Sequence, residues 1–149
     1  MDVKKFYLKE FIEYGKHKSS YFNLPASIVV VIAYLLPGFL GLINPTLAAF
    51  ATLALVAVAV FEVRSNMVKF YCLQFCFIAM FCNLLLSILS VIATFVPVVQ
   101  IIGAMVSLVV AAIIVFVYFY SLFRALQYKG WKIPWIGEFV LVAIMKVKE

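Results

Sequence analysis

The side chains with any capacity for chemistry fall on one line in the third apolar stretch of the chain. Cys76, Asn83, Ser87, Ser90 and Thr94 are separated by 7, 4, 3 and 4 residues, a spacing that sets them along one face of a helix. Lys69 and Cys72 extend that face toward the basic end. Such a stripe supports two chemistries. Small polar groups can hydrogen-bond across packed helices, each contributing about 1 kcal/mol, or they can line a narrow polar path. The packing reading leads.

Other constellations are missing from the sequence. Cys72 and Cys76 sit four apart, but no His or carboxylate lies in the same stretch to complete a metal shell, so both are expected to behave as small hydrophobes. Three cysteines, Cys72, Cys76 and Cys82, make an odd set and no disulfide framework. The single histidine, His17, lies in a polar linker, where no metal or acid–base role is expected. No paired carboxylates, serine–histidine pair or phosphate-binding glycine loop is found. The expectation is a protein that is not an enzyme and carries no cofactor and no metal. Glu62 and Arg64 stand at one end of the second apolar stretch, where a local ion pair or a headgroup contact accounts for them.

The elements that position these residues are dictated by charge distribution. The chain has 149 residues, 68% hydrophobic and 12% charged, too few polar groups to cover a soluble core of that size. No Asp, Glu, Lys, Arg or His occurs over the 43 residues from Ser19 to Phe61 or the 54 from Phe70 to Phe123. As single helices these runs would measure ~65 and ~80 Å, against a hydrocarbon core of about 30 Å. Each run therefore reads as two crossings joined by a turn. Lipid leaves no alternative to helices for a segment without strand alternation. Pro37-Gly38, Gly41 and Asn44-Pro45 signal the turn in the first run, and Pro97 signals it in the second. The expected fold is all-α, an integral membrane four-helix bundle with short interfacial helices at both ends. Its spans are Leu24 to Ile43, Pro45 to Val63, Phe70 to Phe95 and Val98 to Phe123. In the last, Gly103, Ser107 and Ala111 form a ridge of small residues suited to close packing.

All 12 basic residues fall on one side of such a bundle. The positive-inside rule makes that side, and both termini, cytoplasmic. The formal net charge of +6 then reflects contact with anionic headgroups of the lipid bilayer and requires no nucleic acid. The first 18 residues hold eight charged side chains and no apolar core of a signal peptide. The expected location is a bacterial cytoplasmic (inner) membrane, crossed by a multi-pass protein.

The flanks complete the organisation. Residues 1–20 contain an amphipathic pattern over 2–16: Asp2, Lys5, Lys9, Glu13 and Lys16 mark one face, and Val3, Tyr7, Phe11 and Tyr14 another, which suits a cytoplasmic interfacial helix. Residues 21–123 hold the four spans. Residues 124–149 form a tail whose apolar part, Ile133 to Met145, is too short to cross. Trp131 and Trp135 are expected to anchor this tail at headgroup level, and Pro134 suits the first turn of a helix, interfacial or re-entrant.

Two segments resemble a known family. Lys69-Phe70-Tyr71-Cys72-Leu73-Gln74 is similar to the short motif opening the third span in small bacterial four-span membrane proteins, a family defined by a domain of unknown function. That family is related to the four-span component of the chloroplast inner-envelope protein-import machinery. Tyr128-Lys129-Gly130-Trp131-Lys132-Ile133-Pro134-Trp135-Ile136-Gly137 resembles its closing motif. The family often has His where this chain has Tyr71. The resemblance covers roughly residues 24–140 and implies four helices with cytoplasmic termini. It marks Lys69, Gln74, Pro134 and Gly137 as positions of interest. For the plastid relatives it implies a part in moving polypeptides, and for the bacterial ones no established activity.

The function expected from these readings is a non-enzymatic subunit or scaffold of a membrane complex, with a possible transport role. Its partners would be the bilayer and either copies of itself, as a homo-oligomer, or other membrane subunits. The alternative is an oligomeric pore or small-solute permease using the polar face of the third helix. Four helices fill their own centre with side chains, so a conduit would require several copies.

Overall fold

The computed structural model describes residues 11–95, 97–133 and 136–146. Four helices follow one another with little between them: α1 (Ala26–Ile43), α2 (Pro45–Phe61), α3 (Asn66–Phe95) and α4 (Pro97–Leu126). A short fifth, α5 (Ile136–Lys146), closes the described chain. Strand β1 (Phe11–Glu13) pairs antiparallel with β2 (Lys129–Trp131), with Phe11 opposite Trp131 and Glu13 opposite Lys129.

Capping explains where the helices begin. Asn44 is extended, its carboxamide oxygen accepts from the Thr46 N–H at 2.8 Å, and Pro45 takes the first helical position of α2. The first turn therefore falls at Asn44-Pro45 alone. α1 runs through Pro37 and Gly38 without ending, even though a proline inside a helix forfeits a backbone hydrogen bond. α3 begins four residues earlier than the apolar pattern alone predicts. The Ser65 hydroxyl accepts from the Val68 N–H at 3.2 Å, and its carbonyl accepts from Lys69 at 3.3 Å, so Ser65 caps the helix. α4 continues past Phe123 to Leu126. There Tyr128, at φ 56°, turns the chain into β2.

The N-terminal flank departs from the expected helix, whereas the tail forms one. The amphipathic pattern over 2–16 lies largely outside the described residues, and its described end is not helical: Phe11–Glu13 is a strand and 14–20 a loop. The cause is pairing across the chain. β2 offers backbone partners to this segment, and the Tyr14 N–H extends the ladder to the Tyr128 carbonyl at 2.8 Å, which outweighs a weak local helical preference. Pro134 and Trp135 lie outside the described residues. α5, with 11 residues and a length of ~16 Å, packs on α3 and buries Val140 and Leu141 in the core.

That core occupies one end of the helix set, here called the closed end. Met67, Val68, Phe70, Tyr71 and Cys72 of α3 are wholly buried there among residues of α1, α2, α4 and α5. Tyr34 is the hub. Its ring lies 4.6 Å from Phe75, 5.7 Å from Tyr118 and 6.1 Å, edge-on, from Tyr71. Its hydroxyl donates to the Tyr71 carbonyl at 3.1 Å. Past Ile78 the covering thins, and Phe81, Leu84, Phe95, Ile101 and Met105 stand exposed. α3 and α4 are each long and apolar enough to cross a membrane, yet only 11% and 6% of their most apolar windows are buried within the chain.

Tyr34→Phe should lower stability by about 1 kcal/mol through the lost hydrogen bond, and Tyr34→Ala by roughly 3–5 kcal/mol through the cavity it leaves. Denaturant titration in detergent checks this. Equal midpoints for the two variants would contradict a packing role for the ring.

Candidate functional site

The polar groups of the closed end form two linked clusters. The first surrounds Glu62, which follows the last residue of α2 and is fully buried. A carboxylate is poorly placed at a helix C-terminus and costly to bury. Here the surrounding loops supply the compensation. The hydroxyls of Ser19 and Ser20 both donate to it. The N–H groups of Ser20, Arg64 and Ser65 donate to Oε1 at 2.9, 2.9 and 3.0 Å. Burial works to raise the Glu62 pKa, but the two hydroxyls and the backbone donors outweigh it and bring the group from 4.5 down to about 2. Of the two expected roles, an ion pair between Glu62 and Arg64 does not form. The Arg64 guanidinium instead reaches Asn23 Oδ1 at 3.3 Å. His17 adjoins the cluster, with Nε2 2.7 Å from the Ser65 hydroxyl and Nδ1 2.6 Å from the Gly15 carbonyl. The rings of Tyr14 and Tyr128 flank it.

The second cluster ties the tail to α3 and brings together residues of the two family-like segments. Gln74 is fully buried. Its carboxamide nitrogen donates to the Trp131 carbonyl at 3.0 Å, and its oxygen accepts from the Ile133 N–H at 3.3 Å. The side chain thus serves residues 131–133 as a strand neighbour would. One turn earlier, the Tyr71 hydroxyl donates to the Lys129 carbonyl at 2.5 Å. Gly137 completes the clamp. A Cβ there would stand 2.9 Å from Lys132 Cα and 3.0 Å from Gln74 Oε1, so only glycine permits this approach. Trp131 sets its ring edge-on to Tyr120 at 4.6 Å and packs near Ile78, Val117 and Ile133. Lys69, on the opposite side of α3, borders a small slot against α2 and α5.

The polar stripe of the third helix is divided by this packing. Cys76 is buried, while Asn83, Ser87, Ser90 and Thr94 are exposed. Asn83 donates to the Ala79 carbonyl, Ser87 to Asn83 and Thr94 to Ser90, each four residues back at 2.8–3.0 Å. These groups are satisfied partly by their own helix and, among the described residues, by no other element. Asn83 and Ser87 open onto a groove of about 870 Å³ between α2 and α3, shared with Ala48, Thr52, Leu53 and Met80. Among the described residues, nothing approaches within 4 Å of a Cβ placed on Gly103, so the small-residue ridge of α4 is likewise uncovered there.

No family model, curated protein or solved structure matches the chain. The likeness of the two segments to the four-span family rests on their residues alone. Sequence reasoning missed Ser19, Ser20 and Ser65, because hydroxyls beside a linker carry no periodic signal. A carboxylate directly after an apolar run, followed by a serine able to cap, was the available hint.

Two outcomes follow. The folded pKa of Glu62 lies below its ordinary value, so its stabilisation is full above about pH 4.5 and fades as pH falls toward about 2. Glu62→Gln places donors against donors; it should cost about 1–3 kcal/mol at neutral pH and flatten that acid slope, as read by unfolding midpoints across pH. Gly137→Ala should release the tail, seen as faster hydrogen exchange over 136–146 with α1–α4 protection unchanged. Equal exchange in the variant and the parent would remove the clamp.

Proposed function

We propose that the chain is a multi-pass membrane protein with four spans, α1 to α4, and both ends cytoplasmic, acting without catalysis as a subunit or scaffold of a membrane complex. One observation carries this reading: α3 and α4 are long and apolar, and only 11% and 6% of their most apolar stretches are buried within the chain. A soluble protein would have to bury that surface, whereas a bilayer accepts it. α1 and α2, at 18 and 17 residues, sit at the short end of the roughly 17–25 that a crossing takes. The closed end holds the described basic residues and would face the cytoplasm, with α5 held beneath the bundle against protein. The motif likeness favours the cytoplasmic membrane of a bacterium.

Uncovered polar side chains support an assembly role. Asn83, Ser87, Ser90 and Thr94 would be poorly placed against lipid tails and suit contact with helices of a second copy or another subunit. The same exposure favours a second reading, an oligomeric pore or permease lined by this face.

Single-cysteine labelling on a background without Cys72, Cys76 and Cys82 tests the topology. Position 42 should label from outside intact cells, and positions 64 and 129 only after permeabilisation; the reverse pattern would sink the model. Asn83→Leu then separates the two roles. A scaffold loses about 1 kcal/mol of assembly by native mass spectrometry, with liposome flux unchanged. A pore keeps its assembly and loses flux, because an apolar constriction dewets.

A further inference from the structure

Lys69 borders an apolar slot at the closed end. It stands half-buried on the first turn of α3, and its ammonium makes no hydrogen bond or ion pair among the described residues. The nearest buried carboxylate in sequence, Glu62, is already taken up by hydroxyl and backbone donors. Beside Lys69 lies an apolar slot of about 200 Å³ between α2, α3 and α5, lined by Ala59, Val60, Leu73, Ala143 and Ile144. An apolar cavity of about 150 Å³ accommodates a benzene, so this slot has room for a stretch of alkyl chain. A half-buried cation next to an apolar slot is complementary to one class of molecule: an anion joined to a hydrocarbon.

We propose that Lys69 and this slot bind an anionic phospholipid, the headgroup phosphate on the ammonium and one acyl segment between α2 and α5. The inference rests on the membrane reading above. A zwitterionic headgroup carries its own ammonium and gains little from Lys69, whereas an anionic headgroup gains about 1 kcal/mol per basic residue. Free phosphate would use the lysine but leave the slot empty. The site also joins α5 to the helices through a lipid, adding to the protein contacts of Gln74 and Gly137.

The test is native mass spectrometry of the full chain in non-ionic detergent, titrated with short-chain phosphatidylglycerol, phosphatidylcholine and inorganic phosphate. Phosphatidylglycerol should bind more tightly than phosphatidylcholine, and phosphate should not displace it. Lys69→Gln should weaken phosphatidylglycerol about fivefold and leave phosphatidylcholine unchanged, while Lys69→Arg retains the preference. Ala143→Phe, a change at an exposed position that plugs the slot, should weaken both lipids. Undiminished phosphatidylglycerol binding in Lys69→Gln, or full binding of both lipids in Ala143→Phe, overturns the site. Alkaline carbonate extraction of membranes is read separately: release of the wild-type chain overturns the membrane reading, whatever the detergent titration gives.

Discussion

Glu62 is the group on which the closed end depends. A buried carboxylate must be surrounded by donors or it unfolds its own site. The donors come from two places far apart in sequence, the loop before α1 and the turn before α3. Satisfying the charge therefore fixes where α1 enters relative to the α2–α3 turn. The same turn supplies Ser65, which caps α3 and meets His17. With α3 started there, Phe70, Tyr71 and Gln74 point into the bundle, and the tail finds its backbone partners.

Two kinds of order coexist along α3. Its first half is held by specific geometry, with Tyr34, Tyr71 and Gln74 each fixing a carbonyl or N–H of another element. Its second half is apolar, exposed and bonded mainly to itself. The shift falls near Ile78, where β2 and the residues beside it stop covering the helix. The closed end is thus an ordinary protein interior, close-packed and hydrogen-bonded, and the far end relies on whatever surrounds it.

Much of the helical layout was legible because charge-free runs and turn residues are strong signals. Asn44-Pro45 marks a helix start by itself, and the observed α2 begins there. Boundaries set by tertiary hydrogen bonds were not legible. The start of α3 depends on Ser65, which looks like any loop serine until Glu62 and His17 are placed beside it. The strand at Phe11–Glu13 was read as helix because its partner lies at the other end of the sequence. Within the candidate site, Gln74 and Gly137 stood out through motif likeness, but their meeting across the tail could not be seen from spacing. The stripe through Asn83 was visible as a face; its division into a buried and an open part depends on how far the neighbouring elements reach.

The β1–β2 ribbon has a consequence for how the chain is made. Its strands flank nearly the whole described sequence, so Phe11 gains its partner Trp131 only after α4 has been made. The N-terminal residues emerge first and must wait, unpaired, until α4 has been completed. Closure of this ribbon is a late event with a high loop-closure cost. It draws together segments that flank all four long helices. A chain halted within α4 would leave Phe11–Glu13 without this partner strand.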